Sequence, residues 1–358
     1  MKLLNFTARG EFAPQFGVVV NACVVSFATL QNRFNCNRPE LSDMDTYLRH
    51  LPGSENVARE LVGKGEDTGW DFVPGEMPAS DEVRILPPLP CPPALIDFAL
   101  APEHLLNSGL TLVKYEKTWP ISAAIRTILR MDYRRNRHIV DFKCYKGNHN
   151  AIIGDGDTTF WPHFCSYLDV EAELGVVVGR TRLGMEGSEA KSAIAGYTIF
   201  NDFSARDVQW PELMGRLGLA RCKDFDRGNG IGPFLVTPDE VPDPLSLHVT
   251  VTVGERYRWL GHTSAYTAHP AQVMEYLTSF QTVAPGTIIG MGTVPGCCGL
   301  DRDEWILPGE VIEITFEKLG TLRQLTPSEI GPLAPSRWRM RPELERFMRH
   351  NESDSQEQ

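Results

Sequence analysis

Between residues 168 and 178 the chain reads Leu168-Asp169-Val170-Glu171-Ala172-Glu173-Leu174-Gly175-Val176-Val177-Val178. The alternation predicts a strand with Asp169, Glu171 and Glu173 on one face and Val170, Ala172 and Leu174 on the other. Acids two residues apart on a strand lie about 6–7 Å from each other. The Gly-Val-Val-Val-Gly run that follows reads as strand buried on both faces. Further strands are predicted over residues 1–6, 16–27, 195–200, 247–253, 287–290 and 311–316. In the last of these Ile312, Ile314 and Phe316 alternate with Glu313 and Thr315. Helical spacing is sparser. Residues 43–62 predict two short helices divided at Pro52-Gly53, and residues 270–279 predict another. Residues 204–217 predict a helix broken at Pro211, and Ile121, Ile125, Ile128 and Leu129 predict a short amphipathic helix.

These elements suggest a mainly β, α+β protein. Residues 1–88 read as a small β-rich unit, with a polar loop over 67–81. The stretch Leu86-Pro-Pro-Leu-Pro-Cys-Pro-Pro is a stiff connector, and the boundary is placed beside it. A larger domain over 89–325 follows, then a charged, Pro-rich tail over 326–358 whose last eight residues are expected to be disordered. With 42% hydrophobic and 23% charged residues in 358, a sizeable core is available. The net charge of -11 argues against a nucleic-acid partner. Residues 16–30 are apolar, but Asn21 and Ser26 interrupt them, which favours a hairpin over a signal peptide. No stretch has membrane-spanning length, so a cytoplasmic protein is expected. The eight cysteines form no C-x-x-C pair, which argues against a zinc ribbon or thioredoxin motif. Cys297 and Cys298 are expected as reduced thiols in a loop.

Carboxylates packed beside an apolar core cost on the order of several kcal/mol per ion unless neutralised. A hard divalent cation is the simplest neutraliser. Four segments could meet at one: Asp97-Phe98 with His104; Glu171 with Glu173; Asn201-Asp202-Phe203-Ser204-Ala205-Arg206-Asp207-Val208-Gln209; and Cys222-Lys223-Asp224-Phe225. All-oxygen ligation suits Mg²⁺, Mn²⁺ or Ca²⁺ better than zinc. The glycines of 228–232 read as a turn; the phosphate-binding pattern is incomplete. No G-x-S-x-G elbow or H-E-x-x-H helix is present, so serine-hydrolase and zincin chemistry fall away.

In this order the segments closely resemble the fumarylacetoacetate hydrolase family. The resemblance runs from about residue 84 to 322. It rests on Asp97-Phe98 with His104 and Asn107, the E-x-E of Glu171 and Glu173, the run from Gly196 to Gln209, Lys223-Asp-Phe, and Gly290-Met-Gly-Thr293. It implies a mixed β-sandwich roll with a small N-terminal domain, usually dimeric. It also implies Asp97, Glu171, Glu173 and Asp202 as ligands of Mg²⁺, with Mn²⁺ or Ca²⁺ as alternatives, and a small oxo acid or 1,3-diketone as substrate. His104 would activate water, Lys223 would stabilise negative charge on the substrate, Arg206 and Gln209 would hold substrate oxygens or brace the acids, and Thr293 would bind the substrate carboxylate. Asp169 would be structural. Hydrolysis of a C–C bond is the leading expectation. Decarboxylation or tautomerisation at the same acids is the alternative, and a non-catalytic scaffold the third. Two departures stand out. Ala99 follows Asp97-Phe98 where the hydrolase branch commonly has an aromatic. Residues 111–142 are longer and more basic than usual, as a lid or interface would be.

Overall fold

The apolar segments pair into two facing sheets in the computed structural model of the protein, which describes the chain apart from residues 9, 11–12, 73–74, 216 and 355–358. The N-terminal region supplies β1 (Lys2–Ala8), β2 (Gln15–Val20), β3 (Cys23–Ser26) and β4 (Val83–Leu86). Next come β5 (Leu95–Phe98), β6 (Cys144–Gly147), β7 (Ile152–Ile153), β8 (Leu168–Asp169), β9 (Glu171–Val178), β10 (Ile194–Asp202) and β11 (Ser204–Ala205). The remainder are β12 (Asn229–Val236), β13 (His248–Val253), β14 (Tyr257–His262), β15 (Ile288–Cys298), β16 (Val311–Phe316) and β17 (Gly320–Leu325). The larger sheet runs β3-β2-β1-β12-β10-β9-β15-β5-β6, and the smaller runs β14-β13-β16-β17.

Side-chain alternation assigns the two faces of the larger sheet. Ala172, Leu174, Val176 and Val178 of β9 enter a core shared with Val249, Val251, Ile312, Ile314 and Phe316 of the smaller sheet. This is sheet-on-sheet packing, with inward residues of both layers forming one core. On the opposite face Val177 joins Phe200, Ile231 and Ile288 in a second core, completed by Phe16, Phe27, Tyr47 and Leu61 of the N-terminal region. Residues 1–88 therefore extend the large sheet through β1, which pairs with β12, and cover part of one face. Glu171 and Glu173 lie on that same face, beyond the end of this cover.

The helices are α1 (Phe27–Arg33), α2 (Met44–Arg49), α3 (Gly53–Asp67), α4 (Pro102–Glu116), α5 (Ile121–Asn136), α6 (Gly187–Ser192), α7 (Arg206–Gly215), α8 (Pro270–Thr278), α9 (Gly299–Arg302) and α10 (Pro342–Asp354). Several expectations need correction. Pro211 does not break the helix near 204–217: α7 runs through it, because proline there removes only one ladder bond, to Asp207. Residues 228–232 are not a turn, since Asn229 onwards pairs with β10 as β12. Cys297 and Cys298 are free and buried but end β15 instead of lying in a loop. α4 went unforeseen, as did α1, which takes Phe27 from the expected strand. The tail is helical through Asp354, where disorder was expected from 351; the last four residues lie outside the described ones. Among the described residues no helix is long and apolar enough to cross a membrane.

Candidate active site

The acids converge because neighbouring strands present them at matching register. Asp97, next to last in β5, pairs with Gly290 of β15 on one side and Tyr145 of β6 on the other. Glu173 of β9 pairs with Thr293 of β15 and Phe200 of β10. Asp202 closes β10 opposite Asn229. One carboxylate oxygen from each of Asp97, Glu173 and Asp202 falls within a 4.8 Å cluster. Gly290 makes this possible: a Cβ there would stand 2.2 Å from Asp97 Oδ1 and 2.7 Å from Glu173 Oε2. Gly292, at φ +95°, turns the chain where a Cβ would meet the Phe98 carbonyl at 2.6 Å.

Two buried oxygens of this cluster, Asp97 Oδ1 and Asp202 Oδ1, have no hydrogen-bond partner among the described residues. Glu173 accepts from Gly292 N at 2.9 Å and from the Thr293 hydroxyl at 3.5 Å. Burial and the Asp202 charge push Asp97 up to about 7. Burial likewise raises Asp202 to about 6, against the pull of Lys223. Glu173, buried beside Asp97, is held well above the usual carboxylate range. Three acids that resist ionising together, with unpartnered oxygens between them, fit a hard divalent cation, which takes anionic oxygen ligands.

Glu171 differs from its neighbour two residues on. Its carboxylate accepts from Arg206 Nη2 at 2.7 Å, from Lys223 Nζ, and from the Ser204 hydroxyl at 3.3 Å. Burial would raise its pKa, but Arg206 and Lys223 outweigh burial and hold it well below the usual range. The Lys223 ammonium is buried between Glu171 and Asp202, and Tyr145 donates its hydroxyl to Asp202 Oδ2. Arg206 is itself fully engaged: Nε donates to Asp169 Oδ2 at 2.8 Å and Nη1 to Gln209 Oε1 at 3.2 Å. Its guanidinium thus braces acids and leaves little for a substrate. Asp169 accepts from Arg206 and from the backbone of Val170, Gly299 and Leu300, outside the acid cluster.

His104 stands in the first turn of α4, 8% exposed. Its Nδ1 lies 2.9 Å from Asp301 Oδ1, and its Nε2 lies 3.4 Å from Glu171 Oε1. Burial would lower its pKa, yet the Asp301 carboxylate and Cys298 raise it well above the ordinary value. Asp301 and Tyr145 were not foreseen from sequence. Neither stands in a motif, and both reach the site from distant chain positions. Asp97, His104, Glu171, Glu173, Arg206, Gln209, Lys223 and Thr293 all line one cavity of about 460 Å³, a size suited to a small ligand. Of the candidate residues, only Asp202 is set back from that wall, behind Lys223 and Tyr145.

Fold and site together define a β-sandwich protein with a carboxylate-lined small-molecule cavity. Residues 126–325 match the family described as fumarylacetoacetate (FAA) hydrolase C-terminal, and the chain belongs to the fumarylacetoacetate hydrolase family. A 2,4-didehydro-3-deoxy-L-rhamnonate hydrolase of Sphingomonas sp. (strain SKA58) is 33% identical over 183 residues, covering 49% of this chain and 61% of that protein. A putative hydrolase of Burkholderia multivorans is 37% identical over 180 residues, covering 49% and 62%. The chain therefore matches about three-fifths of the length of these curated relatives. Among solved structures, a maleylpyruvate hydrolase from Sphingobium sp. SYK-6, in complex with manganese(II) and pyruvate, superposes with a TM-score of 0.63 at 18% identity, covering 91% of this chain and 100% of that one. The fumarylacetoacetate hydrolase of Exiguobacterium antarcticum gives 0.64 at 21% identity, covering 92% and 100%. At these identities the structures show a shared fold. The fold is thus the mixed β-sandwich that the sequence resemblance implied.

Proposed function

We propose that this chain is a divalent-metal-dependent hydrolase that cleaves a carbon–carbon bond in an acylpyruvate-like oxo acid. The observation that carries the reading is the meeting of Asp97, Glu173 and Asp202 beside His104, whose Nδ1 is occupied by Asp301. The hydrolase names of the relatives support it. Asp97, Glu173 and Asp202 would hold Mg²⁺ or Mn²⁺, with Glu171 as the adjoining acid. A cation there supplies Lewis acidity toward the two carbonyl oxygens of a dioxo acid and favours the negative charge that develops as the bond breaks.

The side chains supply the rest. In its neutral form, which the raised pKa moves to the alkaline side of the ordinary range, His104 keeps Nδ1–H on Asp301 and offers Nε2 to a proton from water. His104 takes that proton as the water oxygen adds to the acyl carbonyl. It returns the proton to the methylene carbon once the C–C bond has broken. One water is consumed, and pyruvate and a carboxylic acid are formed. The buried Lys223 ammonium adds positive potential at the wall where charge develops. Thr293 offers its hydroxyl to the substrate carboxylate, and Arg206 keeps Glu171 ionised and fixed.

The reading is tested with acetylpyruvate and Mn²⁺ in ¹⁸O-labelled water. Label in acetate, with turnover lost in His104→Ala while metal stays bound, is the expected result. Carbon dioxide release from oxaloacetate, with acetylpyruvate left intact, would place the reaction with the decarboxylases instead. Undiminished turnover in His104→Ala would remove the histidine from the mechanism.

A further inference from the structure

A second cavity, of about 390 Å³, adjoins the site and shares Ala99, Leu105 and Lys143 in its wall. Ala99 follows Asp97 by two residues, and its N–H continues the β5–β6 pairing by donating to Lys143 O at 3.0 Å. Residues two apart in extended chain share a face, so the shared wall begins about 6–7 Å from Asp97. Alanine at 99 puts only a methyl group on the wall that the two cavities share.

α5 forms the far side of this cavity. None of its residues is buried, and it approaches α4 closely, with Leu129 Cδ1 only 3.3 Å from where a Cβ on Gly109 would stand. Leu105, Leu106, Leu129 and Ile139 make one side apolar. The charged lining is balanced. Lys143 pairs with Asp141 at 2.8 Å, Asp132 accepts from Asn136 at 2.7 Å, and Arg137 lies over the Tyr133 ring at 5.9 Å, so that Lys143 and Arg137 match Asp132 and Asp141 in number. An apolar strip without net charge selects aliphatic carbon over a second carboxylate.

We propose that this cavity holds the distal acyl arm of the substrate, and that the preferred substrate is an oxo acid with an unbranched, uncharged aliphatic arm. The dioxo head lies against the acids, the arm passes over Ala99, and the chain end rests between Leu106, Leu129 and Ile139. This specificity rests on the reaction proposed above, and the arm site has its own readout.

The test compares acetylpyruvate with octanoylpyruvate on the Mn²⁺-loaded protein, as kcat/KM and as calorimetric affinity in the His104→Ala background, where turnover does not interfere. Octanoylpyruvate is expected to be favoured by about 10-fold or more in both measurements, the scale on which hydrophobic pockets discriminate methylenes. Leu129→Trp should abolish the preference while leaving acetylpyruvate unchanged. Ile139→Asp, at a position 60% exposed and so tolerant of substitution, should do the same through polarity. Equal handling of the two substrates, or a preference that survives both variants, would overturn the arm site. If neither compound turns over, the proposed reaction fails, and the affinity comparison still decides the arm site by the same two outcomes.

Discussion

Replacing Asp301 with asparagine isolates what the His104–Asp301 pair does. Asp301 Oδ1 faces His104 Nδ1 at 2.9 Å, and Oδ2 accepts from Gly296 N at 2.8 Å. An amide can meet these two neighbours in two ways. With its oxygen toward His104, its NH₂ confronts the Gly296 N–H, leaving buried donors unpaired at a cost of about 1–3 kcal/mol. With its NH₂ toward His104, both contacts are satisfied, but Nδ1 must accept and the ring proton moves to Nε2. That margin makes the second arrangement dominate by roughly 10-fold or more. His104 then has no acceptor facing the cavity. Loss of general-base action typically costs about 10²–10⁴ in rate, and a thousandfold corresponds to about 4 kcal/mol of barrier. Asp301→Asn should therefore lower kcat by about that factor, with unfolding temperature and Mn²⁺ content nearly unchanged. ¹⁵N NMR of the imidazole should show the switched tautomer. A fully metallated variant with kcat within about threefold of the parent would refute the reasoning.

Three further outcomes are expected. Arg206→Lys should destabilise the protein by about 3–5 kcal/mol in urea unfolding, since one ammonium cannot span Asp169, Glu171 and Gln209 and leaves a buried acid unpaired; an unchanged midpoint would contradict the bracing role. Gly290→Ala should weaken Mn²⁺ binding and cost about 1–3 kcal/mol of stability, because the clash falls on two acids already crowded together; calorimetry showing parental affinity would count against the cluster as the metal site. Asp97, raised from 3.8 to about 7, holds a proton in the metal-free fold that the unfolded chain releases earlier. Metal-free stability from this group is thus full below about pH 4 and lost as pH rises through 7, while Mn²⁺ affinity rises over the same window with proton release. Calorimetry in buffers of differing ionisation enthalpy measures that release, and a pH-independent affinity would sink the linkage.

Local pattern was enough to read the strand carrying Glu171 and Glu173, its two faces, and the central pair of the smaller sheet, β13 and β16, though not its edge strands β14 and β17. Period-two alternation is a property of neighbours in the chain and needs no knowledge of what lies across the sheet. The order of Asp97, His104, the E-x-E pair, the Asn201–Gln209 run and Lys223 likewise stood in the sequence and pointed to the family. α4 escaped because His104, Ser108 and Thr111 put polar residues on its buried side, where the pattern expects apolar ones. Which carboxylate meets which cation was a tertiary matter. Asp301 is 197 residues from His104, and Asp202 is 57 from Tyr145. Arg206 spends its guanidinium on Asp169 and Glu171, so two acids of one strand face end in different surroundings from the third. Strand register across β5, β15, β9 and β10 decides those contacts, together with the glycines that let the acids approach. Hydrogen bonds and charge pairs depend on distance in space, and separation along the chain carries no record of it.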